Sequence, residues 1–138
     1  MKVYIGTKHV KASPMDEAIA VEKGYARQNE DNHEWRQGYH VQYANPDGST
    51  YDSWCPKPVF EQAYRLADTF IDRLQIEHDE LKTRLSSLDK FLSQGYENNA
   101  KKIGGKQSAM LISQRYAMKT YLDILESRID NLTTDDNE

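Results

Sequence analysis

The sequence of 138 residues has a single cysteine, Cys55, and no apolar run near the roughly 18 residues needed to cross a bilayer. One cysteine excludes an intramolecular disulfide, which is typical of proteins from a reducing compartment. The mean hydropathy of -0.87 and the early polar residues of the N-terminus predict a soluble, intracellular protein without a secretory signal. We therefore expect no membrane partner.

An excess of positive charge is also missing. The chain has 18 Lys and Arg and 22 Asp and Glu, a formal net charge of -4. Polymeric nucleic acid is usually bound by a broad basic face, so this class of partner is disfavoured. The four histidines are scattered without an HxxxH arrangement, and a lone cysteine cannot form a CxxC pair. We expect neither a metal site nor a cofactor.

Catalytic candidates are isolated. Cys55 has no histidine at the spacing of a dyad, so a structural thiol is the simpler interpretation. Gly104-Gly105-Lys106 is reminiscent of a phosphate-binding loop, but Ala100 and Gln107 replace the Gly and the Ser or Thr that a Walker A motif requires. The sequence predicts a protein that is not an enzyme. An enzyme that alters its ligand at His40 or Cys55 is an alternative.

The beginning of the chain predicts a strand followed by a short helix. Residues 2–11 place apolar side chains among polar ones and run into Ser13-Pro14, which is typical of a strand that ends in a turn. Residues 17–23 are good helix formers and are followed by Gly24. Residues 27–37 are mostly polar and predict a loop.

A hairpin is the clearest β prediction. Residues 38–43 alternate apolar or aromatic with polar side chains, and residues 50–54 are again extended in character. Asn45-Pro46-Asp47-Gly48 between them has strong turn chemistry. Pro58 suits the first turn of a helix that begins near Val59.

The second half of the chain predicts two long helices. Side chains follow one another at alternating steps of three and four, the spacing of a heptad seam. The first seam is Ile71, Leu74, His78, Leu81, Leu85, Leu88 and Leu92, and the second is Leu111, Gln114, Met118, Tyr121, Leu125, Arg128 and Leu132. Glycines in the linker at 95–106 predict that the helices fold back as an antiparallel hairpin.

These elements predict an α+β fold: a small N-terminal antiparallel β-sheet with a short helix, followed by a long C-terminal antiparallel helical hairpin. We expect a single domain over residues 1–138. Its β-sheet part covers residues 1–56, the helical hairpin covers residues 57–132, and a disordered acidic tail covers residues 133–138.

Polar residues on the apolar seams require partners. His78, Gln114 and Arg128 occupy predicted core positions, where an unpaired polar group costs about 1–3 kcal/mol. The partner is either another subunit that fixes the register or a ligand that lies against the helices. The sequence leaves both alternatives open.

A local basic stretch lies within this acidic protein. Residues 90–119 contain six basic residues and one acid, Glu97, a net charge of +5. Such a stretch can attract a small anion, although a solvated basic loop is an equally open interpretation. Phe91, Tyr116 and Tyr121 lie on the same helices, and an aromatic ring beside an Arg suits a nucleobase and its phosphate. Aromatic residues of the core are the alternative.

The whole chain resembles the Thoeris anti-defence protein 1 family, small phage proteins that sequester nucleotide immune signals. The motifs that carry the resemblance are Tyr4-Ile5-Gly6-Thr7-Lys8, Ala12-Ser13-Pro14-Met15, Gly38-Tyr39-His40-Val41, the stretch at 53–65, Leu88-Asp89-Lys90-Phe91-Leu92 and the stretch at 114–129. In the stretch at 53–65, Cys55 replaces the usual Ser.

The resemblance implies a molecular sponge that binds glycocyclic ADP-ribose and leaves it unaltered in the cytoplasm of the infected bacterial host. It also implies separate sites for cyclic di- and trinucleotides and a homo-oligomer, either a dimer or a hexamer built as a trimer of dimers. Phe91 matches the aromatic residue that stacks on the ligand's base. Arg65 matches a basic residue of the cyclic-oligonucleotide site.

For the phosphate-binding residue of the last helix, the resemblance leaves Arg115, Lys119 and Arg128 as candidates. The neighbours that face the ligand would be Tyr116, Met118 and Tyr121. A phage structural or regulatory protein that binds another protein through its helical hairpin is the alternative function.

Overall fold

The computed structural model describes residues 1–28 and 34–134. Contacts divide the chain into two compact units, Met1–Arg65 and Leu66–Glu138, so the single domain stays a prediction. The predicted loop at 27–37 lies partly outside the described residues. So does the predicted tail, whose first residue, Thr133, still belongs to a helix.

The first unit contains a three-stranded antiparallel sheet in the order β1-β2-β3. Its strands are β1 (Lys11–Asp16), β2 (Gln37–Ala44) and β3 (Thr50–Pro56). The hairpin of β2 and β3 confirms the prediction, and its turn closes with a 3.0 Å hydrogen bond from the Gly48 N–H to the Asn45 carbonyl.

The first strand was predicted at residues 2–11, which is wrong: residues 1–10 belong to no helix or strand. β1 instead pairs with β2 from Lys11 opposite Gln42 to Asp16 opposite Gln37. The Ser-Pro sequence that suggested a turn lies inside this strand. Proline is tolerated there because β1 is an edge strand.

One short helix accompanies each face of the sheet. The predicted helix α1 (Glu17–Lys23) is confirmed, and α2 (Lys57–Ala63) follows β3 directly. Beyond α1, the Tyr25 ring stacks on His40 at 4.6 Å, whereas Phe60 of α2 stacks on Tyr39 at 4.2 Å. Because successive side chains of a strand point to opposite faces, the two helices lie on opposite sides.

The second unit consists of α3 (Phe70–Leu92), α4 (Tyr96–Ile103) and α5 (Gly105–Thr133). The long helix predicted from Val59 is wrong in its start, because Thr69 and Asp72 form a capping box that begins a new helix at Phe70. The predicted linker at 95–106 contains α4, which lies between two glycines of positive φ.

The antiparallel hairpin is confirmed by ion pairs between α3 and α5. Arg115 Nε donates to Asp89 Oδ1 at 2.8 Å, and His78 Nε2 lies 3.1 Å from Glu126 Oε1. The residue numbers rise along one helix as they fall along the other, as the opposite directions of the two helices require.

The seam of α3 is confirmed from Leu74 to Leu92, while Ile71 is exposed. The predicted seam of α5 is confirmed at Leu111, Met118 and Leu125 and wrong at Gln114, Tyr121, Arg128 and Leu132, which are exposed. The buried and half-buried residues of α5 are Ser108, Leu111, Arg115, Met118, Leu122, Leu125 and Ile129. Leu122 and Ile129, on the neighbouring stripe, supply apolar side chains to the seam. Gln114 and Arg128 are exposed surface residues.

Candidate functional site

Charge is sharply divided along the helical hairpin. We call residues 82–119, on both sides of and including the connection through α4, the closed end. They contain eight basic and two acidic residues, a net charge of +6. Residues 66–81 and 120–134, which we call the open end, contain two basic and eight acidic residues, a net charge of -6. The antiparallel fold therefore adds like charges from both helices at each end.

A shallow groove of about 500 Å³ lies between α3 and α5 at the closed end. It is lined by Lys82, Leu85, Ser86, Asp89, Lys90, Ser93, Arg115, Lys119 and Leu122. Four of these residues are basic and one is acidic, a net charge of +3 in what we call the basic groove. Its floor is the leucine seam, so the groove presents cations around an apolar base.

Acidic neighbours hold two of the cations in place. Asp89 accepts a hydrogen bond from the Arg115 Nε and thereby raises the pKa of the guanidinium above its ordinary value. Asp123 accepts from the Lys119 Nζ at 2.8 Å and raises the pKa of that amine. Both side chains are therefore cationic at neutral pH, and each has an oriented head group.

The structure brings two of the predicted site residues, Arg115 and Lys119, into the basic groove. Met118 does not line the groove. It belongs instead to the half-buried seam, where its Sδ accepts a hydrogen bond from the Gln114 Nε2 at 3.6 Å. Tyr116 is exposed. Met118 thus has a packing role, while Tyr116 is available to solvent.

Three other predicted residues belong to a different side of the hairpin, which we call the back face. The Arg128 guanidinium lies 5.9 Å from the centre of the Phe70 ring. On α3, Phe91 follows Phe70 by three heptads, so the two share one stripe of that helix. On α5, Tyr121 precedes Arg128 by one heptad and shares its stripe. Heptad spacing from the Phe70–Arg128 contact therefore places Phe91 and Tyr121 on the side away from Arg115 and Lys119.

Arg65 belongs to neither surface of the hairpin, because it is the last residue of the first unit. It is exposed and follows an aromatic stack in which Phe60 lies 4.2 Å from Tyr39 and 4.9 Å from Tyr64 between ring centres. The predicted cyclic-oligonucleotide site at Arg65 stays a prediction.

Among the charged groove residues on α3, sequence reasoning missed Lys82 and Asp89. Each directly follows a seam leucine, Leu81 and Leu88, and the two are seven residues apart. In a hairpin, positions beside the seam line the groove between the helices. That spacing, combined with the basic stretch, is the signal that could have identified them.

The alternative catalytic residues are held in structural contacts. His40 Nε2 lies 2.7 Å from Asp52 Oδ1, and the Tyr25 ring stacks on the imidazole. Burial raises the pKa of the Cys55 thiol, which disfavours the nucleophilic thiolate. Within residues 1–28 and 34–134, no group of three or more His, Cys, Asp or Glu side chains could hold a metal ion.

None of the helices in the described part of the chain is long and apolar enough to span a membrane.

Comparison with known proteins gives a match to a protein family. The model of the Sequestin family matches residues 68–131, which include α3, α4 and nearly all of α5. The name of this family indicates sequestration, and the matched segment contains every residue of the basic groove. No curated protein and no solved structure matches the chain.

Proposed function

We propose that this chain is a molecular sponge, which captures a phosphate-bearing nucleotide signal in the basic groove and holds it without chemical change. The observation that carries the proposal is the net charge of +3 in a groove within the segment that matches the Sequestin family. Sequestration needs a tight complex with the ground state of the ligand, so a binding surface suffices.

The groove offers the donors that phosphate groups require. The ion pair with Asp89 uses only the Nε–H of Arg115, and an arginine has four further N–H donors on its terminal nitrogens. Lys82, Lys90 and Lys119 add ammonium groups around the same apolar floor. Charge-assisted hydrogen bonds to phosphate are among the strong ones in proteins, and several of them favour a ligand with more than one phosphate.

The ligand that we propose is glycocyclic ADP-ribose, because of the resemblance to the Thoeris anti-defence protein 1 family. Its pyrophosphate would lie in the basic groove. Capture would then keep the signal from its effector in the cytoplasm of an infected bacterium. Cyclic di- or trinucleotides are the second ligand class, with Arg65 as the proposed contact.

The first test is recovery of the ligand. The purified chain is incubated with glycocyclic ADP-ribose, free ligand is removed by filtration, the protein is denatured by heat, and the released compound is identified by mass. Unaltered ligand supports the sponge. Chemically altered ligand would mean an enzyme, and ligand that stays entirely in the filtrate would exclude this signal.

The groove is tested by Arg115→Ala/Lys119→Ala. Each lost hydrogen bond to a charged group is worth about 1.5–3 kcal/mol, so capture should weaken at least about a hundredfold. Lys101→Ala/Lys106→Ala is the matched control, because it removes the same charge from the closed end but from outside the groove. Equal weakening in both variants would mean that only overall charge matters.

Phe91→Ala tests where the base lies. Loss of a stacked base costs about 1–3 kcal/mol, and Phe70→Ala, on the same stripe of α3, is the control. If Phe91→Ala prevents capture while the double groove variant retains it, the ligand binds on the back face.

Arg65→Ala should weaken only the binding of cyclic oligonucleotides, and equal loss of both ligand classes would contradict separate sites.

A further inference from the structure

One residue of the basic groove has the wrong charge for an anion. Asp89 lines the groove together with four cations, and its carboxylate repels the phosphate groups that the cations attract. A groove that recognised phosphate by charge alone would bind it more tightly with a neutral residue at this position. The place of Asp89 in the groove therefore calls for a role besides the attraction of anions.

The ion pair with Arg115 occupies only part of the Asp89 carboxylate. The Arg115 Nε–H donates to Oδ1 at 2.8 Å, which is a contact through one nitrogen and not the two-nitrogen fork that an arginine can form with a carboxylate. Among the hydrogen bonds of residues 1–28 and 34–134, none is donated to Oδ2. The Asp89 side chain is 45% exposed, so a ligand in the groove can reach this carboxylate.

A ribose hydroxyl suits the second oxygen of Asp89. An ionised carboxylate only accepts hydrogen bonds, and a hydroxyl that donates to a charged oxygen forms one of the short, strong bonds of proteins. In dinucleotide-binding folds, an acidic residue accepts from a ribose hydroxyl while separate donors hold the phosphates. Because each nucleotide phosphate is attached to a ribose, Arg115 and Asp89 together offer a donor and an acceptor to one nucleotide.

Two further cations extend from this pair along the groove. Lys119 lies one turn beyond Arg115 on α5, and Lys82 lies two turns before Asp89 on α3, about 6 and 10 Å along the helix axes. Both steps run toward the open end because the helices are antiparallel. A ribose bound at Asp89 would therefore leave Lys82 and Lys119 for phosphates on that side.

We propose that Asp89 is a specificity-determining residue of the basic groove, whose Oδ2 accepts a hydrogen bond from a ribose hydroxyl while Arg115 binds a neighbouring phosphate. The inference rests on the proposed function, because it requires a phosphate-bearing ligand in the groove. It narrows that ligand to a ribonucleotide with an unblocked hydroxyl. Bare phosphates bring charge but no ribose, and the same carboxylate repels them, which is an effective way to exclude a competing ligand.

Two probes with opposite expected responses test this role. Isothermal titration calorimetry measures the affinity of the full chain for glycocyclic ADP-ribose and for inorganic pyrophosphate. Asp89→Asn keeps an oxygen for the Arg115 Nε–H but removes the negative charge. It should weaken the binding of glycocyclic ADP-ribose about five- to tenfold, because a charged acceptor becomes neutral. It should strengthen the binding of pyrophosphate at least about threefold, because a repulsion is removed.

Changes of both affinities in the same direction would overturn the role of Asp89 and leave the proposed function intact. Stronger binding of both probes would mean that Asp89 acts only through its charge. Weaker binding of both would mean that it acts only by orienting Arg115. A wild-type chain that binds neither probe would overturn the proposed function together with this inference.

Asp123→Asn is the matched control. Asp123 accepts from the Lys119 Nζ but does not line the basic groove, so this change removes the same charge beside a groove cation. Both probes should bind slightly more tightly to this variant. Opposite responses of the two probes in the control would contradict the assignment to Asp89.

A pair of nucleotides tests the hydroxyl directly. ADP and 2′,3′-dideoxy-ADP have the same base and phosphates and differ only in the ribose hydroxyls. Wild-type chain should prefer ADP by about tenfold, and Asp89→Asn should reduce this preference to about threefold or less. Equal affinity of the wild type for the two nucleotides, or an equal preference in wild type and variant, would overturn the proposal.

Discussion

The first unit holds a small sheet together with aromatic rings, whereas the second holds two long helices together with a narrow leucine seam. In the first unit, rings stack on both faces of the sheet, and the buried Glu17 carboxylate accepts from three N–H groups of Arg36. In the second, most charged side chains remain on the surface. The helical unit therefore keeps most of its charged groups available for binding.

This contrast can be measured because the two units have different reporters. Both tryptophans, Trp35 and Trp54, belong to the first unit, while most helical residues belong to the second. Tryptophan fluorescence thus follows the sheet and circular dichroism at 222 nm follows mainly the helices. Variants placed in one unit should shift one reporter more than the other.

The largest effect is expected for Leu125→Ala, at the fully buried centre of the α5 seam. Removal of a buried leucine side chain should lower the free energy of unfolding by about 2–5 kcal/mol. Thermal unfolding followed at 222 nm should shift far more than the fluorescence transition. Leu132→Ala, at an exposed position of the same helix, is the control, and equal loss in both variants would contradict this seam.

Gly38→Ala should destabilise the sheet of the first unit and therefore shift the fluorescence transition more than the transition at 222 nm. A Cβ atom at Gly38 would lie 2.3 Å from the Cys55 carbonyl oxygen and 2.4 Å from the Trp54 ring. We expect a loss of about 1–3 kcal/mol because the indole and backbone must move. The change should appear in fluorescence, since the Trp54 Nε1–H also donates to the Met15 carbonyl at 2.7 Å. Gly6→Ala, at a position with open space around it, should be neutral.

A smaller effect is expected at the start of α3. Thr69→Ala removes one half of the capping box with Asp72 and should lower the free energy of unfolding by about 1 kcal/mol. Thr69→Ser keeps the hydroxyl and should retain most of the stability. Urea unfolding at 222 nm measures both, and an unchanged midpoint for Thr69→Ala would mean that the helix begins elsewhere.

The smallest effect depends on pH. The carboxylates of Asp79 and Glu126 raise the pKa of His78 above its ordinary value of 6.5, although partial burial opposes them. A raised folded-state pKa contributes stability that is complete below pH 6.5 and is lost as the pH rises through the folded pKa. The free energy of unfolding of the wild type, followed at 222 nm, should therefore fall as the pH rises through this window. His78→Gln should remove that dependence, and an unchanged slope would contradict a role for the contacts of His78 with Asp79 and Glu126.

The fold class could be predicted from sequence because its strongest patterns have one solution. The leucines of α3 occupy a single stripe, so its buried side was unambiguous. On α5, apolar residues lie next to one another, as in Tyr121-Leu122 and Ile124-Leu125, and the periodicity fits more than one stripe. Only the partner helix decides which of them is buried. The position of β1 likewise depends on its pairing with β2, which lies further along the chain. Local sequence patterns do not predict such a pairing.

The candidate site was predictable in its charge but not in its geometry. The basic stretch contains Arg115 and Lys119, which lie in one groove because residues four apart share a side of a helix. Phe91 and Arg115 belong to different helices, and sequence does not give the rotation of one helix against the other. Their separation onto two faces therefore follows from the structure alone.

The division of charge along the hairpin also governs how fast a ligand arrives. A field that is positive at the closed end and negative at the open end attracts an anion to the groove and repels it from the opposite end. The association rate constant should therefore fall as salt shortens the Debye length, from about 30 Å at 0.01 M to about 8 Å at physiological ionic strength. Dissociation depends on contacts at short range and should change much less, so a sponge of this kind would owe part of its speed to charges that never touch the ligand.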